Sequence, residues 1–230
     1  CSFKACMNYI LTLICNPCPA DLCDDAIALA TACLNELGAE TTDVNWLARG
    51  IACDIPFSSL DLQAAEATVR HNFKRFPIDV VVQKNINRRK KLLIADMDAT
   101  MVMGETLDEL AELAGCKDEV ATITSLAMNG ELQFVDALKR RIKLLEGLSL
   151  ENLEKTMAGV ELTPGSQTLV QTMKANGAVT MLVSGGFTYF TDRVRDLIGF
   201  DKAKGNNFGI SDAKLTGQVL EPIINKDAKL

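Results

Sequence analysis

Short apolar runs and helically spaced apolar positions alternate through the first 84 residues. Strand-like composition marks four segments, residues 9–15, 40–47, 51–57 and 78–84. Apolar positions recur every three or four residues in 19–37 and 59–73, which predicts two helices. The resulting order is β-α-β-β-α-β, so we expect a ferredoxin-like α+β domain over residues 1–84.

The pattern changes after a basic run, "KNINRRKK", at residues 84–91. A charge run between two apolar segments is usually a solvated linker, and we assign residues 85–91 to such a linker. The following runs "KLLIA" and "AVTMLVS" are continuously apolar, as strands buried on both faces are, and helical patterns separate and follow them. Residues 92–230 are therefore predicted to form a Rossmann-like α/β domain with a parallel sheet, interrupted by a helical cap over about 106–160.

Composition excludes several classes of protein. With 230 residues and 48% hydrophobic content the chain can bury two cores, so a globular two-domain protein is expected. A net charge of −6 argues against nucleic-acid binding, which needs a basic surface. The longest apolar stretches fall short of the roughly 20 residues of a membrane span and no signal sequence opens the chain, so we expect no membrane partner and a cytoplasmic location. Because the first residue is Cys1 rather than methionine, the sequence is expected to be a fragment.

The cysteine and histidine content limits which metal sites and catalytic groups the protein can have. Seven of the eight cysteines fall in the first 53 residues, but a structural zinc site needs four ligands and there is no second C-x-x-C. We therefore interpret the cysteines as reduced, unliganded thiols. The one histidine, His71, lies in a helical pattern and is predicted to be structural or solvated. Any chemistry is then expected to depend on carboxylates.

Two carboxylates, Asp96 and Asp98, stand where the strand "KLLIA" ends. Ligands of parallel α/β sheets bind beyond the carboxyl ends of the strands, where Ser184 also lies, at the end of "AVTMLVS". There Asp96 can act as a nucleophile on phosphorus while Asp98 gives and takes a proton. Two acids so close repel, so either one is protonated or both share a cation such as Mg²⁺, which suits oxygen ligands and phosphate. Taken alone, the D-x-D pair is equally compatible with an acidic turn.

The predicted helices between the two strands carry a second candidate feature. Thr106 and Glu109 form a capping-box pattern, and Gly115 can end the helix that this box opens. Further along the chain, Arg141 falls on an apolar helical stripe. The apolar members of that stripe are Phe134, Leu138 and Leu145. An arginine on such a stripe needs an anion, which is either a ligand or a structural carboxylate.

Three segments together resemble the phosphoserine phosphatases of the haloacid dehalogenase superfamily: "DMDATMVMGET", "AMNGELQF" followed by "LKRR", and "MLVSGGF". The D-x-D-x-T pattern alone is typical only of the superfamily, whereas the ordered set is far more specific. The preceding domain resembles the amino-acid-binding, ACT-like domain that some bacterial members carry. The resemblance spans nearly the whole chain and implies Mg²⁺-dependent hydrolysis of O-phosphoserine, the last step of serine biosynthesis.

The resemblance also implies roles for individual residues. Asp96 would become an aspartyl phosphate, and Asp98 would protonate the departing seryl oxygen and then activate water. The Asp96 carboxylate and the Asp98 backbone carbonyl would hold Mg²⁺. The Ser184 hydroxyl, the Gly185 backbone N–H and the charge of Lys229 would hold the phosphoryl group, as phosphoryl transfer requires. Without the resemblance, the glycine pair is typical of a turn and Lys229 of a surface residue.

For the serine part of the substrate, the resemblance assigns Arg141 to the carboxylate and Glu105 to the ammonium group. Met128 and Phe134 would form the apolar wall of the closing cap. Two alternatives stay open, which are a related small-molecule phosphatase or phosphotransferase and a catalytically inactive amino-acid-binding regulatory protein. The oligomeric state is open as well, with a homodimer as one candidate.

The sequence departs from the family pattern in two places. Position 99 is alanine where many relatives have serine, and little effect is expected because that side chain has no assigned chemical role. The family's later G-D-x-x-N-D motif, whose aspartates complete the Mg²⁺ site, is absent up to Leu230. Asp212 does not replace it, because "GNNFGISDAKLTG" predicts a β-hairpin with its turn at "SDAK". The sequence as given is therefore expected to be incomplete at its end and to have little Mg²⁺-dependent activity without that motif.

Overall fold

A computed structural model of the protein describes residues 7–58 and 61–224. Spatial proximity divides the chain into two compact units, Cys1–Arg89 and Lys90–Leu230. The described elements of the first unit are, in chain order, β1 (Tyr9–Cys15), α1 (Asp24–Glu36), β2 (Glu40–Thr41), β3 (Asn45–Ala48), β4 (Ala52–Ser58), α2 (Leu62–Phe73) and β5 (Ile78–Lys84).

The first unit is built on an antiparallel sheet with the strand order β2-β4-β1-β5, and β3 also pairs with β4. Alternate residues of β1 and β4 are fully buried in a core shared with α1 and α2, namely Leu11, Leu13, Cys53, Ile55 and Phe57. This alternation is the period of a strand with one face on the core. The element order predicted for residues 1–84 is present, with one more strand because the predicted segment 40–47 is divided into β2 and β3.

The first helix is shorter than the sequence pattern predicts. It begins at Asp24 rather than at residue 19. Two prolines, Pro17 and Pro19, precede it, and Pro17 pairs with Ala20 in an isolated β-bridge. A proline has a fixed φ and no N–H, so the chain at 17–20 forms a tight turn instead of joining the helix, although its side chains have helical spacing.

A buried acid anchors the residues that follow β5. Asp54 on β4 is 3% exposed, and its two oxygens accept hydrogen bonds from Arg88 Nη1 (2.7 Å) and Nη2 (2.9 Å). The hydroxyl of Thr12 on β1 also donates to Asp54 Oδ1 (2.6 Å). Two parallel bonds to a carboxylate require the planar guanidinium of arginine. Arg88 is therefore a structural residue of the first unit, and the interpretation of the whole basic run as solvated is wrong at this position.

The second unit alternates strands and helices. Its described elements are β6 (Leu92–Ala95), α3 (Thr106–Ala114), α4 (Lys117–Met128), α5 (Phe134–Lys143), α6 (Leu150–Gly159), α7 (Ser166–Ala175), β7 (Val179–Phe187), α8 (Thr188–Ile198), β8 (Lys202–Ser211) and β9 (Lys214–Leu220). The four helices α3 to α6 occupy the span predicted for the cap.

The sheet of the second unit has the strand order β6-β7-β8-β9. The first three strands are parallel, as predicted, whereas β9 is antiparallel to β8, so the described sheet is mixed. The predicted β8–β9 hairpin is confirmed, and its turn residues Asp212 and Ala213 both have positive φ, 52° and 59°. Ala95 lies opposite Leu182 in the β6–β7 ladder, so the carboxyl ends of these two strands come to the same edge.

The sheet and the inserted helices share one apolar core. Its fully buried members include Met97, Leu110, Ile142, Leu145 and Phe190. Two of the three apolar members of the predicted stripe are buried, Leu138 on α5 (1% exposed) and Leu145 just after it (0% exposed), whereas Phe134 at the beginning of α5 is 38% exposed. This packing places the beginning of α3 and one face of α5 beside the carboxyl ends of β6 and β7.

His71 and the cysteines, which the sequence analysis interprets as non-catalytic, have ordinary surroundings in the structure. His71 is exposed on α2, in keeping with a solvated residue. The cysteines of the described ranges are unpaired thiols. Within residues 7–58 and 61–224, no helix is both long and apolar enough to cross a lipid bilayer.

Candidate active site

The turn that follows β6 is built around a buried methionine. Met97 is 0% exposed, and its carbonyl accepts backbone hydrogen bonds from residues 100–102 at 2.8–3.2 Å. Ala99 has a φ of +49°, so the chain reverses direction at once. Because Met97 fills the core, Asp96 and Asp98 on either side of it line a cleft at the sheet edge.

The Asp98 carboxylate is held through both oxygens. Its Oδ1 accepts from the backbone N–H and from the hydroxyl of Thr106, each at 2.9 Å. Its Oδ2 lies 3.3 Å from the donating hydroxyl of Ser184. The capping-box prediction is wrong, since the residue before α3 is Glu105 and makes no side-chain cap, and the Thr106 hydroxyl bonds to Asp98 instead. The carboxylate eight residues earlier competes for that hydroxyl, which local spacing does not indicate.

Electrostatics distinguish Asp98 from an ordinary aspartate. Burial raises the pKa of the Asp98 carboxyl, and the nearby charge of Asp96 raises it further. The hydrogen bonds from Thr106 and Ser184 lower the pKa, but burial prevails. Asp98 therefore keeps a proton to higher pH than an exposed aspartate, as a general acid must.

Two glycines that the site requires follow Ser184 near the end of β7. Ser184 is 1% exposed, and its Oγ accepts from the Gly186 N–H at 2.8 Å. A Cβ on Gly186 would lie 3.0 Å from Ser184 Oγ and 3.2 Å from Asp98 Oδ2, which leaves no room for a side chain. The Ser184 hydroxyl is thus engaged with Asp98 and Gly186, whereas the family resemblance assigns it to the phosphoryl group.

The backbone of Gly185 is held by Asn206, a residue that the sequence analysis does not single out. Asn206 on β8 is fully buried, and its Nδ2 donates to the Gly185 carbonyl at 2.8 Å. The same amide accepts from the N–H of Ile224 (2.6 Å) and donates to its carbonyl (3.3 Å). On the other side, a Cβ on Gly185 would lie 3.1 Å from Phe134 Cζ, so the ring covers this glycine. The one signal for Asn206 in the sequence is a polar residue inside a strand.

The cleft has a volume of about 630 Å³. Its lining includes seven of the residues expected from sequence, which are Asp96, Asp98, Glu105, Phe134, Arg141, Ser184 and Gly185. Met128 is not among the lining residues and is 83% exposed at the end of α4, whereas its neighbour Ala127 does line the cleft. The expected wall role of Met128 is therefore not seen in this arrangement. Lys229 lies outside the described residues.

Arg141 brings a positive charge to the cleft from α5. It is half-buried, and its guanidinium donates to the Ala137 carbonyl and to the Thr124 hydroxyl, both at 3.4 Å. The ion pairs found among the described residues do not include Arg141. Burial lowers its pKa, and the charges of Asp108 and Glu105 act in the opposite direction. Arg141 is a partly desolvated cation with weak internal partners, so it can bind an anion.

Glu105 brings an acid to the same cleft from the start of α3. Although its side chain is largely exposed, partial burial raises its pKa, and Asp98, Asp108 and Asp96 raise it further. Arg141 lines the same cleft, and its charge lowers the pKa of Glu105. The cleft therefore offers a cation and an anion to a ligand that carries both charges.

The oxygen atoms of Asp96 and Asp98 can supply some of the ligands of a Mg²⁺ ion. The described residues include no group of three or more His, Cys, Asp or Glu side chains arranged for a metal. Both Asp98 side-chain oxygens accept hydrogen bonds, and Asp96 Oδ1 accepts one from the Met97 N–H at 2.9 Å. The backbone carbonyl of Asp98 and the carboxylate of Asp96 are the oxygen atoms that could contact a cation here. Mg²⁺ is often bound by one or two carboxylates together with substrate phosphate and water. The residues therefore fit a cation that is shared with a phosphorylated ligand.

Comparison with known proteins identifies the class. A family model described as haloacid dehalogenase-like hydrolase matches residues 93–230, and the chain belongs to this family. The matched segment begins inside β6 and includes the D-x-D turn, the inserted helices and the glycine pair.

Within that class, the curated proteins to which the chain is similar include several phosphoserine phosphatases. The phosphoserine phosphatase of Archaeoglobus fulgidus is 41% identical over 171 residues, which cover 74% of this chain and 50% of that protein. The chain spans about half the length of several curated relatives that it matches, 50%, 51% and 50%. These relatives confirm the resemblance found in the sequence.

Two solved structures extend the likeness to three dimensions. A haloacid dehalogenase family hydrolase from Salmonella enterica serovar Typhi superimposes with a TM-score of 0.80 at 25% identity. The matched region covers 97% of this chain and 76% of the Salmonella chain. A phosphoserine phosphatase described as a phospho-aspartyl intermediate analogue has a TM-score of 0.54 at 39% identity. It covers 57% of this chain and 63% of its own.

Proposed function

We propose that the protein hydrolyses O-phosphoserine to serine and phosphate through an aspartyl phosphate on Asp96. The observation that carries the proposal is the convergence of Asp96, Asp98, Arg141 and Glu105 on one cleft. Similarity to phosphoserine phosphatases supports the choice of substrate, and the phospho-aspartyl analogue of one such enzyme supports the intermediate.

The two aspartates divide the chemistry between them. An Asp96 carboxylate oxygen attacks phosphorus, the bond from phosphorus to the seryl oxygen breaks, and its electron pair leaves with that oxygen. Asp98 donates its proton to the leaving oxygen and then, as the base, takes a proton from the water that attacks the aspartyl phosphate. As the water oxygen bonds to phosphorus, the bond from phosphorus to Asp96 breaks and its electron pair returns to the Asp96 carboxylate, which releases phosphate. The Asp96 carboxylate and the Asp98 carbonyl would hold Mg²⁺, which supplies charge neutralisation for the phosphoryl oxygens.

The phosphoryl group is bound by the segment around Gly185. Asn206 fixes the Gly185 carbonyl, which sets the orientation of the neighbouring peptide groups. The Gly185 N–H is proposed as a donor to phosphoryl oxygen. Lys229 is proposed as the neutralising cation on the strength of the sequence resemblance alone.

The serine part of the substrate is recognised by charge. Arg141 binds the carboxylate, for which a guanidinium has matching donors, and Glu105 binds the ammonium group. Phe134 covers Gly185 and gives that side of the cleft an apolar surface. Met128 is omitted from this set because it is 83% exposed.

The first unit is proposed to be an ACT-like domain that binds an amino acid. Its sheet order, β2-β4-β1-β5, and the core that its sheet shares with α1 and α2 support this assignment. Serine binding to the cleft and to the first unit can be separated by titrating serine into the Arg141→Met variant, in which only the cleft is altered. Loss of all serine binding in that variant would contradict a second serine site in the first unit.

The proposed activity is tested by phosphate release from O-phosphoserine at millimolar Mg²⁺, using the protein at its natural full length. Asp96→Asn should abolish release, because an amide is a poor nucleophile at phosphorus. Asp212→Asn, in the exposed turn of the β8–β9 hairpin, is the matched control and should retain activity. Near-normal turnover by Asp96→Asn, or no turnover of phosphoserine by the unaltered protein, would refute the proposal.

A further inference from the structure

Thr106 has an unusual role for a threonine at the beginning of a helix. A threonine at the N-cap position usually accepts a hydrogen bond from its own helix, whereas Thr106 follows the N-cap residue Glu105. Here the residue is 4% exposed, and both of its donors, the backbone N–H and the hydroxyl, converge on Asp98 Oδ1 at 2.9 Å. Both donors at the beginning of α3 therefore bind the same oxygen of the Asp98 carboxylate, which belongs to the preceding turn.

This arrangement makes the two oxygens of Asp98 unequal. Oδ1 accepts two donors and lies at a helix N-terminus, where negative charge is favoured, so it is a poor place for a proton. Oδ2 has one longer contact, 3.3 Å, to the hydroxyl of Ser184. The hydroxyl hydrogen of Ser184 can turn about the Cβ–Oγ bond while Oγ keeps accepting from the Gly186 N–H. Oδ2 is accordingly the less tightly held of the two oxygens.

We propose that Thr106 is the positioning residue of the general acid, which anchors Oδ1 of Asp98 so that Oδ2 faces the leaving oxygen of the substrate. The proposal rests on the proposed function, in which Asp98 acts as the acid. In the step concerned, the bond from Asp96 to phosphorus forms, the bond from phosphorus to the alkoxide oxygen breaks, and the proton on Oδ2 passes to that oxygen.

The anchor also joins the acid to the helices that select the substrate. Thr106 is the first residue of α3, and α3 is the first of the inserted helices that include α5 with Phe134 and Arg141. Glu105, the residue proposed to bind the ammonium group, immediately precedes it. The two hydrogen bonds thus tie the orientation of Asp98 to the place where the substrate is recognised.

The test compares two substrates that differ in their need for an acid. Phosphoserine has an alkoxide leaving group that must be protonated, whereas acetyl phosphate releases acetate, which needs no proton. The quantity compared is kcat/KM, because it reports the steps up to departure of the leaving group. Hydrolysis of the aspartyl phosphate is common to both substrates and does not affect this comparison.

Three variants provide the comparison. Thr106→Val keeps the shape and the backbone N–H but removes the hydroxyl, and Thr106→Ser keeps the hydroxyl. Thr122→Val is the matched control, because the Thr122 hydroxyl is exposed and bonds only to the Asp118 carbonyl of its own helix. Thr106→Ala is a further variant in case the valine side chain prevents folding.

We expect Thr106→Val to lower kcat/KM for phosphoserine by at least about tenfold, since general acid catalysis contributes roughly 10²- to 10⁴-fold and one of two anchors is lost. The value for acetyl phosphate should change by less than about twofold, and Thr106→Ser should restore phosphoserine turnover. Because both substrates are measured on one preparation, the fraction of folded enzyme cancels from their ratio.

Equal losses on both substrates, or no loss on either, would overturn the role of Thr106. If the unaltered protein hydrolyses acetyl phosphate but not phosphoserine, the proposed substrate is wrong. In that case phosphoethanolamine replaces phosphoserine as the alkyl phosphate, and the same ratio decides the role of Thr106. Asp98→Asn should show the same selective loss, and its absence would refute the assignment of Asp98 as the acid.

Discussion

Replacing Arg141 by methionine should weaken phosphoserine binding and leave the fold intact. The two hydrogen bonds of Arg141, to the Ala137 carbonyl and the Thr124 hydroxyl, are both 3.4 Å long. The ion pairs in the described part of the chain do not involve this guanidinium. Methionine retains much of the aliphatic stem, so the free energy of unfolding should change by less than about 1 kcal/mol.

The expected size of the binding effect follows from the surroundings of the guanidinium. A charge-assisted contact to a carboxylate in a partly desolvated cleft is worth roughly 2–4 kcal/mol. Because about 1.4 kcal/mol corresponds to a tenfold change in an equilibrium constant, KM for phosphoserine should rise roughly 30- to 700-fold. Phosphoethanolamine has no carboxylate, so its KM should change by less than about threefold.

The assay is phosphate release from both compounds over a range of concentrations, with thermal unfolding measured on the same preparations. Arg140→Met is the matched control, because Arg140 is the exposed neighbour on α5 and should not affect either substrate. Equal rises in KM for the two substrates would refute carboxylate recognition by Arg141. A loss of several kcal/mol in stability would show that the guanidinium is structural instead.

Three further changes test other parts of the molecule. Burial raises the pKa of Asp98 in the folded protein above its value in the unfolded chain. The folded state is therefore most stable when Asp98 is neutral, and it loses stability as the pH rises through the folded pKa. In metal-free buffer, Asp98→Asn should raise Tm at pH 7, and this gain should vanish below about pH 4, where Asp98 is protonated in both states. A gain that is constant across pH would contradict this explanation. Gly186→Ala places a Cβ 3.0 Å from Ser184 Oγ and 3.2 Å from Asp98 Oδ2. The free energy of unfolding, measured by chemical denaturation, should fall by about 1–3 kcal/mol, and kcat should fall at least about tenfold. An unchanged kcat would show that the Asp98 carboxylate can be displaced without loss of function. Arg88→Met leaves Asp54 buried without its cation and should destabilise the first unit by about 3–5 kcal/mol in denaturant unfolding, whereas the exposed Arg89→Met should have little effect.

The sequence by itself determined most of the secondary structure. Strands β1 and β5 have the bounds 9–15 and 78–84 that their apolar runs predict. The β8–β9 hairpin forms at the predicted turn, and Gly115 ends α3 in the left-handed conformation. These features depend on side-chain periodicity and on the backbone preferences of a few adjacent residues, which are local properties of the chain.

Part of the site was also accessible from sequence. Because ligands bind at the carboxyl ends of parallel strands, the positions of Asp96, Asp98 and Ser184 after two apolar runs are enough to predict that they share one cleft. Assignment of Arg141, Glu105 and the phosphoryl-binding glycine needed the family resemblance as well, because spacing alone left a structural role open for each.

Only the tertiary structure decided which partner each polar group uses. Spacing predicts that Thr106 caps its own helix, but its hydroxyl bonds to Asp98. The amide of Asn206 reaches Gly185, 21 residues earlier, and Arg88 reaches Asp54, 34 residues earlier. The expected wall residue Met128 is exposed instead. Periodicity specifies which face of an element is buried, whereas a hydrogen bond between distant residues depends on how whole elements pack, so these contacts become defined only when the core has formed.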